Sequence, residues 1–335
     1  MTLRLGINGF GRIGRMVVRA LVERNLQGVE IVAINDLATP ETMAHMLAFD
    51  SVHGRFAAPV TVEGSTLDVG RGPIRLSATQ DPAKLAWDDV DIALECTGHF
   101  TRPTDAAQHL ENGSGKVLIS GPGKGDVKTI VYGVNHRLIT PADTVISNAS
   151  CTTNCLAPVA HVLHENFGIK RGHMTTVHSY TGTQPTHDRA QDDLYRARAA
   201  ALSMVPTSTS AASALDKVLP HLEGVITSTS IRVPAPNVSC IDLVVETAKD
   251  ATEDEVNAAM ARAAAGPLNG VLQVIDRPLV STDLNHDPHS ASLALDQTAV
   301  QQGNLIRVLA WYDNEWGFAN RMLDTAQVMA GADSG

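Results

Sequence analysis

The stretch LRLGINGFGRIGRMVVRALVER, residues 3–24, joins a short apolar run to a segment of helical spacing through GFGRIG at positions 9–14. A G-x-G-x-x-G turn between strand and helix lets the backbone bend sharply and approach a pyrophosphate closely. The helix N-terminus then stabilises the anion. Taken alone, the pattern equally describes a plain strand-to-helix turn. The next apolar run, EIVAIND, ends at Asp36, roughly 20 residues past the last glycine, where a carboxylate can accept the ribose hydroxyls of an adenosine. Gly9, Gly11 and Asp36 therefore point to a dinucleotide. The acidic residue also repels a 2′-phosphate, which favours NAD over NADP.

Outward from this unit, VDIALECTG, GKVLISG and DTVISNAS follow at intervals that helices could fill. The alternation predicts an α/β doubly wound parallel sheet. After residue 150 the pattern changes: MTTVHSYTG, ITSTSIRVP, VSCIDLVVETAK, NGVLQVID and NLIRVLAWYDN read as longer strands with few helices between them. A second, α+β domain with a mainly antiparallel sheet is expected. The expected boundaries are a nucleotide-binding domain over 1–150, a catalytic domain over 151–317, and a C-terminal helix over 318–335 that returns to the first domain. In that helix Phe318, Met322 and Val328 fall on one side.

Composition narrows the partners. The 335 residues are 44% hydrophobic and 19% charged, without an apolar run long enough to cross a bilayer, so no membrane role is expected. A net charge of -10 argues against nucleic acid as the main partner. The start of the chain lacks the pattern of a secretory leader, and four scattered cysteines do not make a disulfide scaffold. A cytoplasmic location is the expectation.

Two of those cysteines, Cys151 and Cys155, lie in SNASCTTNCLAP, residues 147–158. VIS reads as a strand, and Cys155, Leu156, Val159, Val162 and Leu163 have helical spacing, which starts a helix near Ser150 and Cys151 despite Pro158. Residues i and i+4 on a helix stand roughly 5–6 Å apart, too far for the about 3.8 Å between Cβ atoms of an unstrained disulfide. A zinc site would need further ligands at matching spacing, and there is no second cysteine pair. Cys151, at the helix start, then reads as a thiol whose ionisation the helix dipole assists. Cys155, one turn inside, reads as a small core residue.

A thiol nucleophile needs a proton acceptor. Of thirteen histidines, His178 ends the apolar run TTVHSYTG and is followed by Ser179, Thr181 and Thr183, a hydroxyl-rich setting suited to a substrate. A satisfied strand-end histidine is the plain alternative. His286 and His289 in DLNHDPHS suggest a metal loop, but without a distant ligand a hydrogen-bonded turn is the better reading, and no metal is expected. A dinucleotide, an activated thiol and a histidine together suit aldehyde oxidation. The thiolate adds to the carbonyl, a hydride leaves, and a thioester remains for an acyl acceptor.

NGFGRIGR (8–15), AIND (33–36), FDSVHGRF (49–56), SNASCTTNCLAP (147–158), TTVHSYTG (175–182), RARAAA (196–201), IRVPAPNVS (231–239) and WYDNEWGFANRM (311–322) together resemble the phosphorylating glyceraldehyde-3-phosphate dehydrogenases, almost end to end. The resemblance implies a Rossmann domain and a homotetramer. It implies that Cys151 is the nucleophile and His178 its acid/base partner, and that Arg12, Ile13, Asp36, Ser120 and Asn314 contact NAD, with Asn314 orienting the carboxamide. It also implies that Ser150, Thr152, Thr181, Arg196, Thr209, Ser210 and Arg232 hold the phosphates of glyceraldehyde 3-phosphate and of inorganic phosphate. On residues alone, Arg196 reads equally as a solvated helix charge and Arg232 as a strand-end ion pair.

Departures from the family pattern touch the phosphate sites. In PTSTSAASAL, Ser210 stands where the family usually has Gly and Ser213 where it usually has Lys. Thr183 replaces a common acidic residue, and GVITSTSIRVP lacks the usual Gly-Lys before the strand. Arg189 and Ala190 replace a frequent Leu-Pro pair, and Arg189 could accommodate the 2′-phosphate of NADP, so NADP use is a secondary reading. Rival readings are an erythrose-4-phosphate dehydrogenase and a non-catalytic NAD-binding regulatory protein. HSYTG favours the triose enzyme, and intact Cys151 and His178 weigh against a protein that has lost catalysis.

Overall fold

A computed structural model of the chain describes residues 2–331. Met1 and 332–335, the end of the expected C-terminal segment, lie outside the described residues. The chain forms two compact units. One takes the residues up to Tyr132, His136–Ala149 and the chain from Phe318; the other takes Gly133–Asn135 and Ser150–Gly317.

The first unit is built on a nine-stranded sheet. Strand Leu3–Asn8 lies at its centre, paired in parallel with Val29–Asn35 on one side and Ile92–Glu95 on the other. Successive connections therefore leave the central strand in opposite directions across the sheet, and a crevice opens at the carboxyl ends of its strands. Leu5, Ile7, Ile34, Leu94 and Leu118 are all fully buried, as expected for parallel strands covered on both faces. Beyond Lys116–Ile119 lie Val145–Ser147 and Lys128–Thr129, all parallel. The other edge is not parallel: Thr61–Glu63, Thr66–Asp68 and Pro73–Ser77 form an antiparallel meander. Glycines at 64, 70 and 72, all with positive φ, turn the chain too tightly there for crossover helices.

Helix Arg12–Glu23 follows the central strand and buries Met16, Val17, Ala20 and Leu21. The last helix, Trp316–Gly331, buries Phe318, Met322, Leu323, Ala326 and Met329; Val328 is only half-buried. The expected apolar side is thus rotated by one residue at its end. Within the first unit Thr325 Oγ1 donates to Asn148 Oδ1 at 2.8 Å, and Lys116 Nζ donates to the carbonyl of Met329 at 2.8 Å.

The second unit carries a mainly antiparallel sheet in the order Val205–Thr207, Ile226–Val233, Ile169–Ser179, Ser239–Thr247, Leu305–Tyr312, Ala291–Ala294 and Leu272–Ile275. Two pairs are parallel, Ile169–Ser179 with Ile226–Val233 and Leu272–Ile275 with Ala291–Ala294. Helix Cys151–Phe167 lies against this sheet. It runs unbroken through Pro158 and ends at Gly168, whose φ of 71° supplies the left-handed cap that a side chain resists.

Candidate active site and dinucleotide crevice

In the first unit a cavity of about 460 Å³ opens at the carboxyl end of the central strands, with Gly9, Gly11, Asp36, Leu37, Thr97 and Phe100 among its lining. Its glycines do different work. At Gly9 φ is +94°, and a Cβ would lie 2.6 Å from the Thr97 nitrogen; at Gly14 it would lie 2.3 Å from the Gly9 carbonyl oxygen. Neither position tolerates a side chain. A Cβ on Gly11 would meet nothing within 4 Å, so this glycine keeps space open rather than packing closely. Gly11 is also the N-cap of helix Arg12–Glu23, and among the described residues no side chain caps that end and no acidic residue stands in its first turn. An open glycine before an uncapped helix N-terminus suits a pyrophosphate.

The Asp36 carboxylate is aimed by two backbone donors, Phe10 N at 2.7 Å and Ala38 N at 3.0 Å. Both oxygens retain lone pairs for ribose hydroxyls. These residues fit a dinucleotide. The Arg12 side chain, by contrast, is committed to Asp50, with Nη2 at 3.1 Å from Oδ1 and Nη1 close to Oδ2. Burial alone would raise Asp50, but the guanidinium and the His53 and Val52 N–H groups hold its carboxyl well below the usual range. What Arg12 and half-buried Ile13 can offer a phosphate is therefore main chain at the first helical turn. Ser120 follows strand Lys116–Ile119 and hydrogen-bonds Cys96, which lines the cavity.

In the second unit Cys151 begins its 17-residue helix. Ala149, at φ 58°, turns the chain sharply ahead of it. Ser150 caps the helix, its Oγ accepting from Thr153 N at 3.0 Å. The Ser150 hydroxyl is thus spent on holding Cys151 at the positive end of the dipole. The half-buried Cys151 places Sγ 3.5 Å from Nε2 of His178, the penultimate residue of strand Ile169–Ser179. His178 Nδ1 lies 2.8 Å from the carbonyl oxygen of Ser179. A carbonyl has no proton to give, so the hydrogen sits on Nδ1 and the Nε2 lone pair faces the thiol. Arg232 is the parallel-register neighbour of His178, and its Nη1 donates to the same carbonyl at 2.9 Å while lying 3.1 Å from Nδ1.

Burial pushes the Cys151 thiol up; the positive charge of Arg232 and hydrogen bonds from Thr152 oppose it. The sequence expectation of an acidified thiol is corrected here, because desolvation outweighs those attractions. Burial, then Arg232 and Arg196, push His178 down to about 3. The resting pair is a thiol beside a neutral imidazole, poised for proton transfer as attack begins. Burial raises the other cysteines as well, Cys96 to about 12, Cys240 to about 11 and Cys155 well above its ordinary value. Cys155 is fully buried, with Sγ 3.8 Å from the Ala310 carbonyl oxygen.

The surrounding polar groups were only partly visible from spacing. Thr152 does not present a free hydroxyl: it lies 2.8 Å from the phenol of Tyr312, which lies 2.9 Å from Thr176 Oγ1. Tyr312 also packs edge-on to the His178 ring. Asn314 Oδ1 accepts from Ser179 Oγ at 2.9 Å and Ser239 Oγ at 3.0 Å. Two hydroxyls on one amide atom hold the Asn314 side chain in place. Tyr312 and Ser239 were missed as site residues, and Ser179 was read only as part of a hydroxyl-rich setting; WYDN, IRVPAPNVS and HSYTG contain the three, but only the sheet brings them together. Arg196 donates through Nε to Thr207 Oγ1 at 2.7 Å, with Asp193 at 3.5 Å. Thr181 pairs with Thr183 at 3.0 Å. Thr209 Oγ1 accepts from Ala211 N at 3.2 Å, and Ser210, the N-cap of helix Ala211–Val218, makes no side-chain cap bond. His286 stacks on Trp316 and His289 Nδ1 bonds Asp287 at 2.8 Å, as turn residues do.

Two family models match the chain. The glyceraldehyde 3-phosphate dehydrogenase NAD binding domain covers residues 3–103, and the C-terminal domain of the same family covers 150–314. Proteins named glyceraldehyde-3-phosphate dehydrogenase from Cereibacter sphaeroides and Xanthobacter flavus are 60% and 56% identical, each over 98% of this chain and 99% of their own length. One from Zymomonas mobilis is 51% identical over the same shares. With both models spanning most of the chain and such identity sustained from end to end, the chain belongs to the glyceraldehyde-3-phosphate dehydrogenase family.

Proposed function

We propose that the protein oxidises D-glyceraldehyde 3-phosphate with NAD and inorganic phosphate, giving 1,3-bisphosphoglycerate through a cysteine-bound hemithioacetal and thioester. The observation that carries this is the 3.5 Å approach of Cys151 Sγ to His178 Nε2 at a helix N-terminus. The Nε2 lone pair takes the thiol proton as sulfur bonds the aldehyde carbon, and the carbonyl oxygen receives that proton to give the hemithioacetal. NAD, when bound, supplies the acceptor for the hydride that leaves that carbon. His178 removes the hydroxyl proton as the thioester carbonyl forms and releases it to solvent, which restores the neutral imidazole. Phosphate oxygen then bonds the acyl carbon, the carbon–sulfur bond breaks, and the proton lost by phosphate returns to sulfur through Nε2.

Gly9, Gly11, the main chain of Arg12 and Ile13, Asp36 and Ser120 hold the dinucleotide, and Asn314 orients its carboxamide. Arg196 and Arg232, with Ser150, Thr152, Thr181, Thr209 and Ser210, bind the two phosphates. Asp36, which turns away a 2′-phosphate, sets the preference for NAD. Replacing Cys151 by Ala tests the reading: aldehyde oxidation should vanish while NAD binding, read by calorimetry, persists. Retained turnover would refute it.

The assembly proposed is a cytoplasmic homotetramer. Leu194, Tyr195, Leu202 and Met204 are 80%, 63%, 81% and 75% exposed within one short segment, apolar side chains that contact with another subunit would cover. All four cysteines are free, as a reducing compartment would keep them, and no helix among the described residues is long and apolar enough to cross a membrane. Light scattering would read the assembly directly.

A further inference from the structure

Beneath the dinucleotide crevice lies a buried polar cluster that the reaction does not use. Glu95 and His109 are 1% and 0% exposed. Glu95 ends strand Ile92–Glu95 and is the register partner of Asn8, which ends the central strand. Its Oε2 accepts from Asn8 Nδ2 at 2.7 Å and from His109 Nε2 at 3.0 Å; its Oε1 accepts from Thr97 N at 2.8 Å and from the Thr97 hydroxyl at closer range. Four donors occupy the acceptor sites of one carboxylate, so its orientation is fully determined. His109 is held as tightly: Asn112 Nδ2 lies 3.3 Å from Nδ1, which places the ring proton on Nε2, and the ring stacks on Trp87.

From Glu95 the bonds continue across the sheet. Asn8 Oδ1 accepts from Asn35 Nδ2 at 2.8 Å, and Asn35 exchanges bonds of 2.8 Å in both directions with the main chain of Thr79. Asn8, Asn35, Thr79 and Thr97 all line the cavity; Glu95 and His109 do not. Thr97 is also the wall against which Gly9 closes, at a separation that leaves no room for a Cβ.

We propose that Glu95 and His109 are a positioning pair for the dinucleotide, in which Glu95, oriented by His109, fixes Asn8 and Thr97 and through them the spacing between the glycine turn and the opposite wall of the crevice. Neither touches the cofactor. This rests on the NAD reading above. A carboxylate suits the place because every neighbour is a donor; an amide there would set its own NH₂ against one of them.

The test is calorimetric titration of NAD into Glu95→Gln, His109→Ala and His109→Gln proteins, with steady-state kinetics alongside. Glu95→Gln and His109→Ala should raise the NAD dissociation constant about 10-fold or more, with kcat at saturating NAD within about 3-fold of the parent. His109→Gln, which restores an N–H toward Glu95, should recover much of the loss. Unchanged NAD affinity in variants that merely melt earlier would overturn the proposal and make the pair a structural feature. Should Glu95→Gln fail to fold, the His109 pair decides: equal affinity in the Ala and Gln variants overturns it. Failure of the parent protein to bind NAD would instead overturn the cofactor reading, a distinct result.

Discussion

Nε2 of His178 faces Sγ of Cys151 at 3.5 Å, and the opposite ring nitrogen is pinned to the Ser179 carbonyl. The bond on Nδ1 fixes which nitrogen is basic, so the contact has a direction. Replacement by Asn keeps polarity but removes the base, and kcat should fall about 10²- to 10⁴-fold. Pre-steady-state absorbance of the reduced nicotinamide would show the loss in the first turnover.

The same residue predicts a pH effect on stability. His178 titrates at 6.5 in the unfolded chain and near 3 when folded, so between those values the unfolded chain binds the extra proton. Its stability contribution is whole above pH 6.5 and is lost as pH falls toward 3. Urea unfolding at pH 7 and pH 5 should show a smaller acid loss in His178→Asn than in the parent.

Arg232 sits beside both partners, and its charge lowers both the Cys151 thiol and His178. Arg232→Gln keeps much of the bulk and removes the cation. Thiolate at Cys151 then becomes harder to form, and alkylation by iodoacetamide at neutral pH should slow about 10-fold. Rates followed from pH 6 to 10 should shift as a whole to higher pH; an unmoved profile would separate Arg232 from the thiol.

These relationships differ in how far sequence could reach them. Gly9, Gly11 and Asp36 announce themselves because turn, glycine and carboxylate lie within one local unit, and the start of helix Cys151–Phe167 follows from apolar spacing after SNAS. The contact of Arg232 with His178 is set by parallel pairing of strands more than fifty residues apart, a register no local pattern encodes. Thr152 shows a different limit: its position matches the family motif, but only the fold shows that its hydroxyl bonds Tyr312. Charge pattern could not reveal that burial outweighs the Arg232 charge and the Thr152 hydrogen bonds at Cys151, since desolvation depends on the whole surrounding packing. The antiparallel edge of the first sheet was missed because short strands between glycines resemble loops.

The glycine turn allows stability and binding to be separated. Gly9→Ala combines a positive φ with a Cβ lodged against the Thr97 main chain, and should destabilise the protein by about 1–3 kcal/mol as well as weakening NAD binding. Gly11→Ala, at φ −72° and facing open space, should melt with the parent. Its methyl nevertheless occupies the approach to the helix N-terminus, so NAD affinity should fall. Thermal melts beside calorimetric titrations distinguish the two; parental NAD affinity in Gly11→Ala would mean that the phosphates lie elsewhere.

Ser213 offers a gain of function. It stands in the first turn of helix Ala211–Val218, its hydroxyl donating to the Ser210 carbonyl at 3.1 Å, and it is exposed where the family usually carries Lys. If phosphate binds at Thr209 and Ser210, Ser213→Lys adds a cation beside the anion without disturbing the core. KM for inorganic phosphate should fall about 2- to 5-fold at low salt, and the gain should shrink as ionic strength rises, because exposed charges are screened over about 10 Å at 0.1 M. The rate of the first turnover, which precedes phosphate attack, should not move. A lower KM that survives high salt would point to direct contact with phosphate rather than attraction from a distance. An unchanged KM at every salt concentration would place the attacking phosphate away from this helix, and Thr209 and Ser210 would leave the site with it.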